Sequence, residues 1–581
     1  MRILLLWPPE QRDFLSTFRH FSHFGAVAGY LRRRYPEFHF KLLDGAVAKP
    51  SRDQLATEFR IGYDLVVVQV EPYNVESAQR AIDLCKRLGS ARVVAFGGMC
   101  GLNPKFLLAH SGVDAVCYTG NWEYGVRYYI EYLMGHRDPS QLTDLYYRAN
   151  GSVMRTPVGP MVAPEDWCLA PLDWMPVPHY DPLTNANHQR EARILASRGC
   201  PFTCSFCRTS YTGTRRVIHR APAAIVRDIA AIRARYSDDV DKYNLVAANF
   251  TANRSWALSV CRAIAAVPGQ VRWCTMSRVS LLDEGLVAEM AASGCWKVGM
   301  GIETLGAAAQ AGINKCFAEE TVKRGVLLLR KYGIVARTCI MLGIPGQTRE
   351  DILYSFLRLQ EWGASIRPKE YYPFQQLTRD DLAIEDVRKF DRSEPYRNPI
   401  DGLSKELFLR LLRSGDVTPA DCRPVTSAGV VLFDGTSGDP RVLLLRHCDG
   451  GWYLPRGKRM PGEELPTTAT REAREETGLV VEVDVGACVG STLDVYWSPR
   501  TGLPTAKTTH YFRATPLAGE LHLSEPQWVE VRWASPTEAC RLLPVNLHEI
   551  VQQAAGLDVP AGWNPPVRII GDIRVLQDQF S

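Results

Sequence analysis

What this sequence lacks sets the first limits on it. No apolar run approaches the roughly 18 residues that cross a bilayer, so no membrane span is expected. The opening MRILLLWPPE holds only five consecutive large apolar residues before a double proline. That is too short for the apolar region of a secretory leader, and a cytoplasmic location is expected. There is no repeat at solenoid periods and no low-complexity tract. No charge of one sign dominates: 68 Lys and Arg face 63 Asp and Glu, so nothing calls for a nucleic-acid partner. A disulfide framework is not expected either, because the 16 cysteines are scattered and only one group is tightly spaced. What is present is globular in texture, 46% hydrophobic and 23% charged. The 581 residues suit about three domains.

The pattern along the chain divides it. Over residues 1–140, continuous apolar runs (RILLLW, YDLVVVQV, ARVVAFGG, VDAVCYTG) alternate with helical stretches, which predicts a Rossmann-like parallel sheet with crossover helices. Ligands of such sheets bind at the carboxyl ends of the strands, near Trp7-Pro8-Pro9, Gly97-Gly98 and Gly120-Asn121. Residues 141–190 read as an irregular connection. Residues 191–370 alternate again (ARILAS, YNLVAANF, VRWCTM, WKVGMGIE, VARTCIML), as a partial (β/α) barrel does. Residues 371–424 read as a polar linker or helical extension. From TSAGVVLF onward, over 425–557, antiparallel-style strands surround one long helix, an α/β/α sandwich. The tail is 558–581. The fold class throughout is α/β.

The tight cysteine group lies in RGCPFTCSFC. Cys200, Cys204 and Cys207 have the spacing C-x-x-x-C-x-x-C in a loop after a predicted strand. A structural zinc site would need a fourth ligand, for which His219 is available. The other reading is an iron–sulfur cluster held by three thiolates, with one iron left open for chemistry. The context resembles the radical S-adenosylmethionine (SAM) family: Phe206 directly precedes the last cysteine, SGCWKVGMGIET follows at 293–304 and CIMLGIPGQTRED at 339–351. That resemblance implies a 4Fe-4S cluster on Cys200, Cys204 and Cys207 whose open iron binds SAM. The reduced cluster would cleave it to a 5′-deoxyadenosyl radical, with an electron donor such as a flavodoxin or ferredoxin as partner. Phe206 would lie near the adenine, and Gly301, Ile302 and Glu303 would flank the cofactor. One segment departs from the pattern: where relatives often carry acidic residues after the second barrel strand, this chain has Ala247-Ala248-Asn249-Phe250.

The order of domains, with LLLWPPE, VVAFGG and Gly120-Asn121-Trp122-Glu123 in place of the relatives' GEGE, resembles the cobalamin-binding branch of that family. Gly97 and Gly98 would then touch cobalamin. No D-x-H-x-x-G stretch is present to supply a histidine ligand for cobalt.

Residues 457–479 read GKRMPGEELPTTATREAREETGL. Glu472, Glu475 and Glu476 stand at i, i+3 and i+4 and share one helix face. Carboxylates so crowded call for hard divalent cations, which also bridge to phosphates. Arg471 can hold one carboxylate through a paired contact. The spacing matches the Nudix box completely, at Gly457, Glu463, Arg471, Glu472, Ala473, Glu475, Glu476, Gly478 and Leu479. The stretch resembles MutT-type Nudix hydrolases, which implies Mg²⁺ (or Mn²⁺) on Glu472, Glu475 and Glu476. Lys458, Lys507 and His510 are candidate phosphate contacts. The expectation is a bifunctional enzyme of specialised metabolism, such as natural product biosynthesis. It would perform radical C-methylation or carbon-skeleton change and Nudix hydrolysis on a nucleotide-like or pyrophosphate-bearing small molecule. The alternative is a radical enzyme without cobalamin whose Nudix domain senses a nucleotide or binds substrate.

Overall fold

A computed structural model describes residues 1–8, 22–177, 191–207, 209, 215–237, 240, 242–390, 396, 398–434, 439–448, 450–556 and 567–569. The chain divides into two compact units, one of residues 1–352 with 364–415, the other of 353–363 with 416–581.

The first unit opens with a seven-stranded sheet: β1 (Arg2–Trp7), β2 (His39–Asp44), β3 (Leu65–Gln69), β4 (Arg92–Phe96), β5 (Ala115–Cys117), β6 (Leu145–Ala149) and β7 (Ser152–Arg155). Its order is β2-β1-β3-β4-β5-β6-β7. The first five strands run parallel and the last two form an antiparallel hairpin at the edge. Ile3–Trp7 and Leu65–Val68 are fully buried because helices cover both faces, which is why these strands read as unbroken apolar runs. The chain reverses direction across the sheet between β1 and β3, the crevice where such sheets take ligands. Two segments that read as connections prove structural. Residues 145–155 supply the edge hairpin. Leu377, Leu382, Val387 and Phe390, from the polar stretch after residue 371, close one face of this sheet's core. Asn103 anchors that return by donating to the carbonyls of Leu377 and Arg379, at 3.1 and 2.7 Å.

The same unit continues with β8 (Glu191–Leu195), the short pair β9 (Ser197–Arg198) and β10 (Ile218–His219), then β11 (Lys242–Val246), β12 (Arg272–Ser277), β13 (Cys295–Glu303), β14 (Val335–Leu342) and β15 (Ser365–Glu370). Strands β8 and β11–β15 form one parallel sheet in chain order, the partial barrel. One parity of each strand packs on the helices: Ile194, Val298, Met300, Ile302, Ile340 and Leu342 are all fully buried. The other parity faces the lumen.

The second unit holds β16 (Arg423–Leu432), β17 (Val442–His447), β18 (Trp452–Tyr453), β19 (Arg456–Lys458), β20 (Val480–Ser498), β21 (Leu503–Ala518), β22 (Trp528–Ala534) and β23 (Val567–Ile569). The main sheet runs β19-β16-β21-β20-β23, and β18-β17-β22 forms a second. Ala469 and Ala473 of the helix Leu465–Thr477 pack on one face of the main sheet, against Ala428, Val430, Leu432 and Phe512. Ile550 and Val551 of the helix His548–Ala554 pack on the other, against Val431 and Tyr511.

Candidate active sites

The cysteine loop leaves the carboxyl end of the barrel through β9. Arg198, two residues before Cys200, donates to both oxygens of Glu123, one at 2.9 Å. Glu123 is fully buried on the helix Trp122–Leu133 of the first sheet, and the guanidinium also stacks 4.8 Å from Trp167. The loop is thus tied to the first sheet at its start. Further along, the Cys207 N–H donates to the Cys204 carbonyl (3.1 Å) and the Ser205 N–H to the Ile313 carbonyl (3.1 Å). None of Cys200, Cys204 and Cys207 is in a disulfide. Burial raises the Cys200 and Cys204 pKa values, and for Cys204 the cations Lys315 and Arg278 oppose it. Three thiols with cationic neighbours fit a cluster that carries net negative charge. His219, the alternative fourth ligand, packs its ring 4.5 Å from Trp256. Phe206 sits among Ala309, Ile313, Ile344, Met341 and Tyr371.

Glu303 ends β13 with φ +69°, a left-handed conformation that a side chain adopts only when its surroundings demand it. Lys315 holds it there, Nζ to Oε1 at 2.7 Å, while its buried Oε2 has no hydrogen-bond partner. Gly301 is glycine for this pair: a Cβ there would lie 2.3 Å from Glu303 Oε1 and 2.5 Å from Lys315 Nζ. Asn249 occupies the segment where an acid was absent from the sequence pattern. Its Oδ1 accepts from the Arg278 N–H and the Thr251 hydroxyl, both at 3.2 Å, and its buried Nδ2 is unpartnered.

On the first sheet, Gly97 takes φ +122° and a Cβ would lie 2.6 Å from the Val70 carbonyl, so backbone packing alone requires glycine. Gly98 follows, buried, at the start of a short helix. At this same edge, Gln69 Oε1 and Trp122 Nε1 are buried without hydrogen-bond partners. An orphaned acceptor and an orphaned donor beside the strand-order crevice fit a ligand with a polar rim, as a corrin has.

In the second unit, the helix Leu465–Thr477 starts with proline in its first turn and stops at Gly478, φ +75°. Arg471 is the hub of its polar face. It bonds Glu463 (Nε–Oε1 2.7 Å, Nη2–Oε2 3.1 Å), Glu472 (2.7 Å), Glu475 (2.9 Å) and the Lys458 carbonyl (3.0 Å). The Arg471 hydrogen bonds hold the Glu463 carboxyl down at about 2. Glu476 is different. Burial pushes it up to about 8, although its Oε2 accepts from the Arg456 N–H at 2.9 Å. Burial also raises Glu472, against the pull of Arg471. Gly457 lets β19 close on this set, since a Cβ there would sit 1.8 Å from a Glu472 oxygen. Hard oxygen donors in a crowded, charge-frustrated set, with Glu476 buried, fit divalent cations. Among the described residues no three His, Cys, Asp or Glu side chains converge on one metal-ion position; in this carboxylate set, Arg471 stands between its members.

Of the candidate phosphate contacts, Lys507 and His510 lie on opposite faces of β21 because successive side chains alternate. Lys507 lies in the electrostatic neighbourhood of Arg456, Asp494, Glu476 and Glu472; burial and Arg456 lower it to about 8. Lys458 is exposed. Reading by motif missed Arg456 and Asp494, whose buried ion pair (3.3 Å) sits with the Tyr511 hydroxyl (3.1 Å) at this end of the sheet.

The radical SAM superfamily model matches residues 194–358 and the NUDIX domain model residues 423–554. The chain carries a radical SAM domain and a C-terminal NUDIX domain. It is similar to an uncharacterized methyltransferase of Pyrococcus horikoshii (24% identical, covering 61% of this chain and 76% of that one). A second relative is the cytidylyl-2-hydroxyethylphosphonate methyltransferase of Streptomyces wedmorensis (25% identical, 47% and 57%). Its C-terminal part is similar to a MutT-like protein of Streptomyces ambofaciens (30% identical, 23% and 77%). In fold, the first unit resembles the radical SAM methyltransferase TsrM of Kitasatospora setae, solved with cobalamin and a 4Fe-4S cluster (TM-score 0.52, 18% identical, 64% and 74%). The chain is an enzyme with a radical SAM domain and a Nudix domain. No helix among the described residues is long and apolar enough to cross a membrane.

Proposed function

We propose that the chain methylates a carbon of a small metabolite joined to a nucleotide through a phosphoanhydride, and that its NUDIX half hydrolyses that anhydride to release a nucleoside monophosphate. The observation that carries the reading is the pairing, in one chain, of a three-thiol barrel loop with Glu472, Glu475 and Glu476 on one face of one helix. The cytidylyl substrate in the name of the Streptomyces wedmorensis relative supports the nucleotide handle. A metabolite intermediate of specialised metabolism fits such a fusion, which keeps it near its next site.

In this reading Cys200, Cys204 and Cys207 hold the 4Fe-4S cluster. Phe206, Gly301 and Glu303 border SAM, and the crevice edge at Gly97, Gly98, Gln69 and Trp122 borders cobalamin. Glu472, Glu475 and Glu476 hold Mg²⁺ or Mn²⁺. When bound, the cluster supplies the electron that splits SAM, the corrin cobalt carries the methyl group, and the divalent cations neutralise phosphate charge. The protein's own residues do the positioning. Lys315 fixes Glu303 at the barrel mouth, Arg471 holds Glu463, Glu472 and Glu475, the Arg456 N–H holds Glu476, and Lys507 meets a phosphate oxygen. Hydrolysis adds the hydroxyl of water to one phosphorus and a proton to the departing phosphate oxygen. The electron comes from a ferredoxin or flavodoxin, and the location is the cytoplasm.

The test uses anaerobically reconstituted protein with SAM, a reductant, Mg²⁺ and cytidylyl-2-hydroxyethylphosphonate, in heavy-oxygen water. The expected products are a phosphonate one methyl heavier and cytidine monophosphate, with the heavy oxygen in one of them. If cytidylyl, uridylyl and adenylyl conjugates all pass through unchanged, the reading falls. Bound iron without cobalt, with SAM still cleaved, would leave a radical reaction that does not use cobalamin.

A further inference from the structure

The barrel lumen is more basic than SAM chemistry requires. Strand register sets its lining: Arg193 on β8 lies beside Asn244 on β11, Asn244 beside Cys274 on β12, and Cys274 beside Lys297 on β13. Nearer the cysteine loop, Gly299 and Gly301 on β13 lie beside Arg337 and Cys339 on β14, and Cys339 and Met341 lie beside Arg367 and Lys369 on β15. The Cys339 thiol reports the company it keeps. Burial and Glu303 raise its pKa to about 11, while Lys369, Arg337 and Lys315 pull against them. The lumen is reachable, since Met276 on β12 is 37% exposed and lies against Gly299.

The carboxylates among these described residues are already committed. Glu191 accepts from Asn244 (2.8 Å) and Cys274 (3.3 Å) and faces Lys297 at 3.7 Å. Glu303 takes Lys315. Arg193 is left with charge neighbours only, Glu191, Cys274 and Tyr73. Arg337 Nε is buried with no hydrogen-bond partner. A buried guanidinium with open donors is costly unless an anion fills the place. Its planar fork matches two oxygens of a phosphate-type group better than a carboxylate already engaged elsewhere.

We infer that this lumen is a phosphoryl-oxyanion subsite in which Arg337, with Lys369 on the neighbouring strand, grips the phosphate or phosphonate group of the radical half's substrate. The inference rests on the nucleotide-linked reading above but on different residues. With it, both halves of the chain recognise the same anionic group.

The experiment is equilibrium dialysis of labelled inorganic pyrophosphate against the full, cluster-loaded chain without divalent cations, comparing wild type with R337A, R337K, K369A and K507A. Iron content and the thermal midpoint serve as folding controls. The expected result is that R337A and K369A each weaken binding at least tenfold, that R337K recovers part of it, and that K507A leaves the tighter class of sites in place. Hydrogen exchange should slow in peptides of β13–β15 when pyrophosphate is added. Equal affinity in wild type, R337A and K369A, or loss of all binding in K507A alone, would overturn the inference. It can fail separately from the functional reading: turnover of a cytidylyl conjugate with an unchanged KM in R337A sinks the subsite and keeps the function. Pyrophosphate held by Arg337, with every nucleotide conjugate inert, does the reverse.

Discussion

The barrel and the NUDIX sheet hold opposite charges in reserve. In the barrel, Glu191 and Glu303 are already paired, and Arg337 and Arg193 remain without hydrogen-bonded counterions. In the NUDIX unit the surplus is negative: Arg471 is shared among Glu463, Glu472 and Glu475, and Glu476 is left to be neutralised by a proton, rising to about 8. The same kind of anionic substrate would therefore meet protein cations in one half and borrowed metal cations in the other. One half should bind phosphate without divalent metal and the other should not.

The contrast can be broken most forcefully at the cysteine loop. C204A should abolish iron incorporation and the cluster's visible absorbance while the NUDIX half goes on hydrolysing anhydrides; iron retained at wild-type stoichiometry would mean that the loop is not the cluster's seat. Next in size, E476Q and E475Q should each lower Mg²⁺-dependent hydrolysis by about 10²- to 10⁴-fold. A variant that hydrolyses normally but changes only radical turnover would make the NUDIX half a sensor. G457A, whose new Cβ would fall 1.8 Å from a Glu472 oxygen, should cost about 1–3 kcal/mol of stability and weaken Mn²⁺ binding, read by calorimetry and by the free-Mn²⁺ resonance signal. The smallest effect is on pH. Folding raises the Glu476 pKa from 4.5 to about 8, so the folded state holds a proton that the unfolded state has already lost. The associated stability is complete below about 4.5 and disappears as pH rises through 8. The metal-free thermal midpoint should fall over that window, recover with Mg²⁺, and flatten in E476Q. A midpoint that climbs with pH would contradict the burial of Glu476.

The two sites also differ in how much of them could be read from the chain. The cysteine loop and the carboxylate helix are local, three thiols within eight residues and three carboxylates within one turn and a half, so spacing alone announces them. The parallel strands were legible for a similar reason, since burial on both faces leaves unbroken apolar runs such as RILLLW and LVVV. The lumen was not legible. Arg337 and Lys369 are well separated in sequence and come onto neighbouring strands only through register, so no short window contains them. Gly97 and Gly301 could be seen as glycines but not explained. One avoids the Val70 carbonyl and the other makes room for Lys315 and Glu303. The hairpin at 145–155 and the return of residues 377–390 onto the first sheet escaped for a third reason. The hairpin is a short glycine-turned edge, and the return, LTRDDLAIEDVRKF, is largely polar, yet its few apolar residues are the ones that close a core.

Glu123 and Arg198 give this chain a history as well as a shape. Their paired contact spans two layers that the sequence pattern separates, and one partner stands two residues from the first cysteine. Removing either residue strands a buried charge, at a cost of about 3–5 kcal/mol. A barrel copied into another genome without its sheet would arrive with Arg198 unanswered and its cysteine loop unmoored, whereas the NUDIX segment could be gained or lost without touching that bond. Recombination should then shuffle this lineage at the second junction and leave the first alone, so that sheet and barrel descend together as a single heritable part.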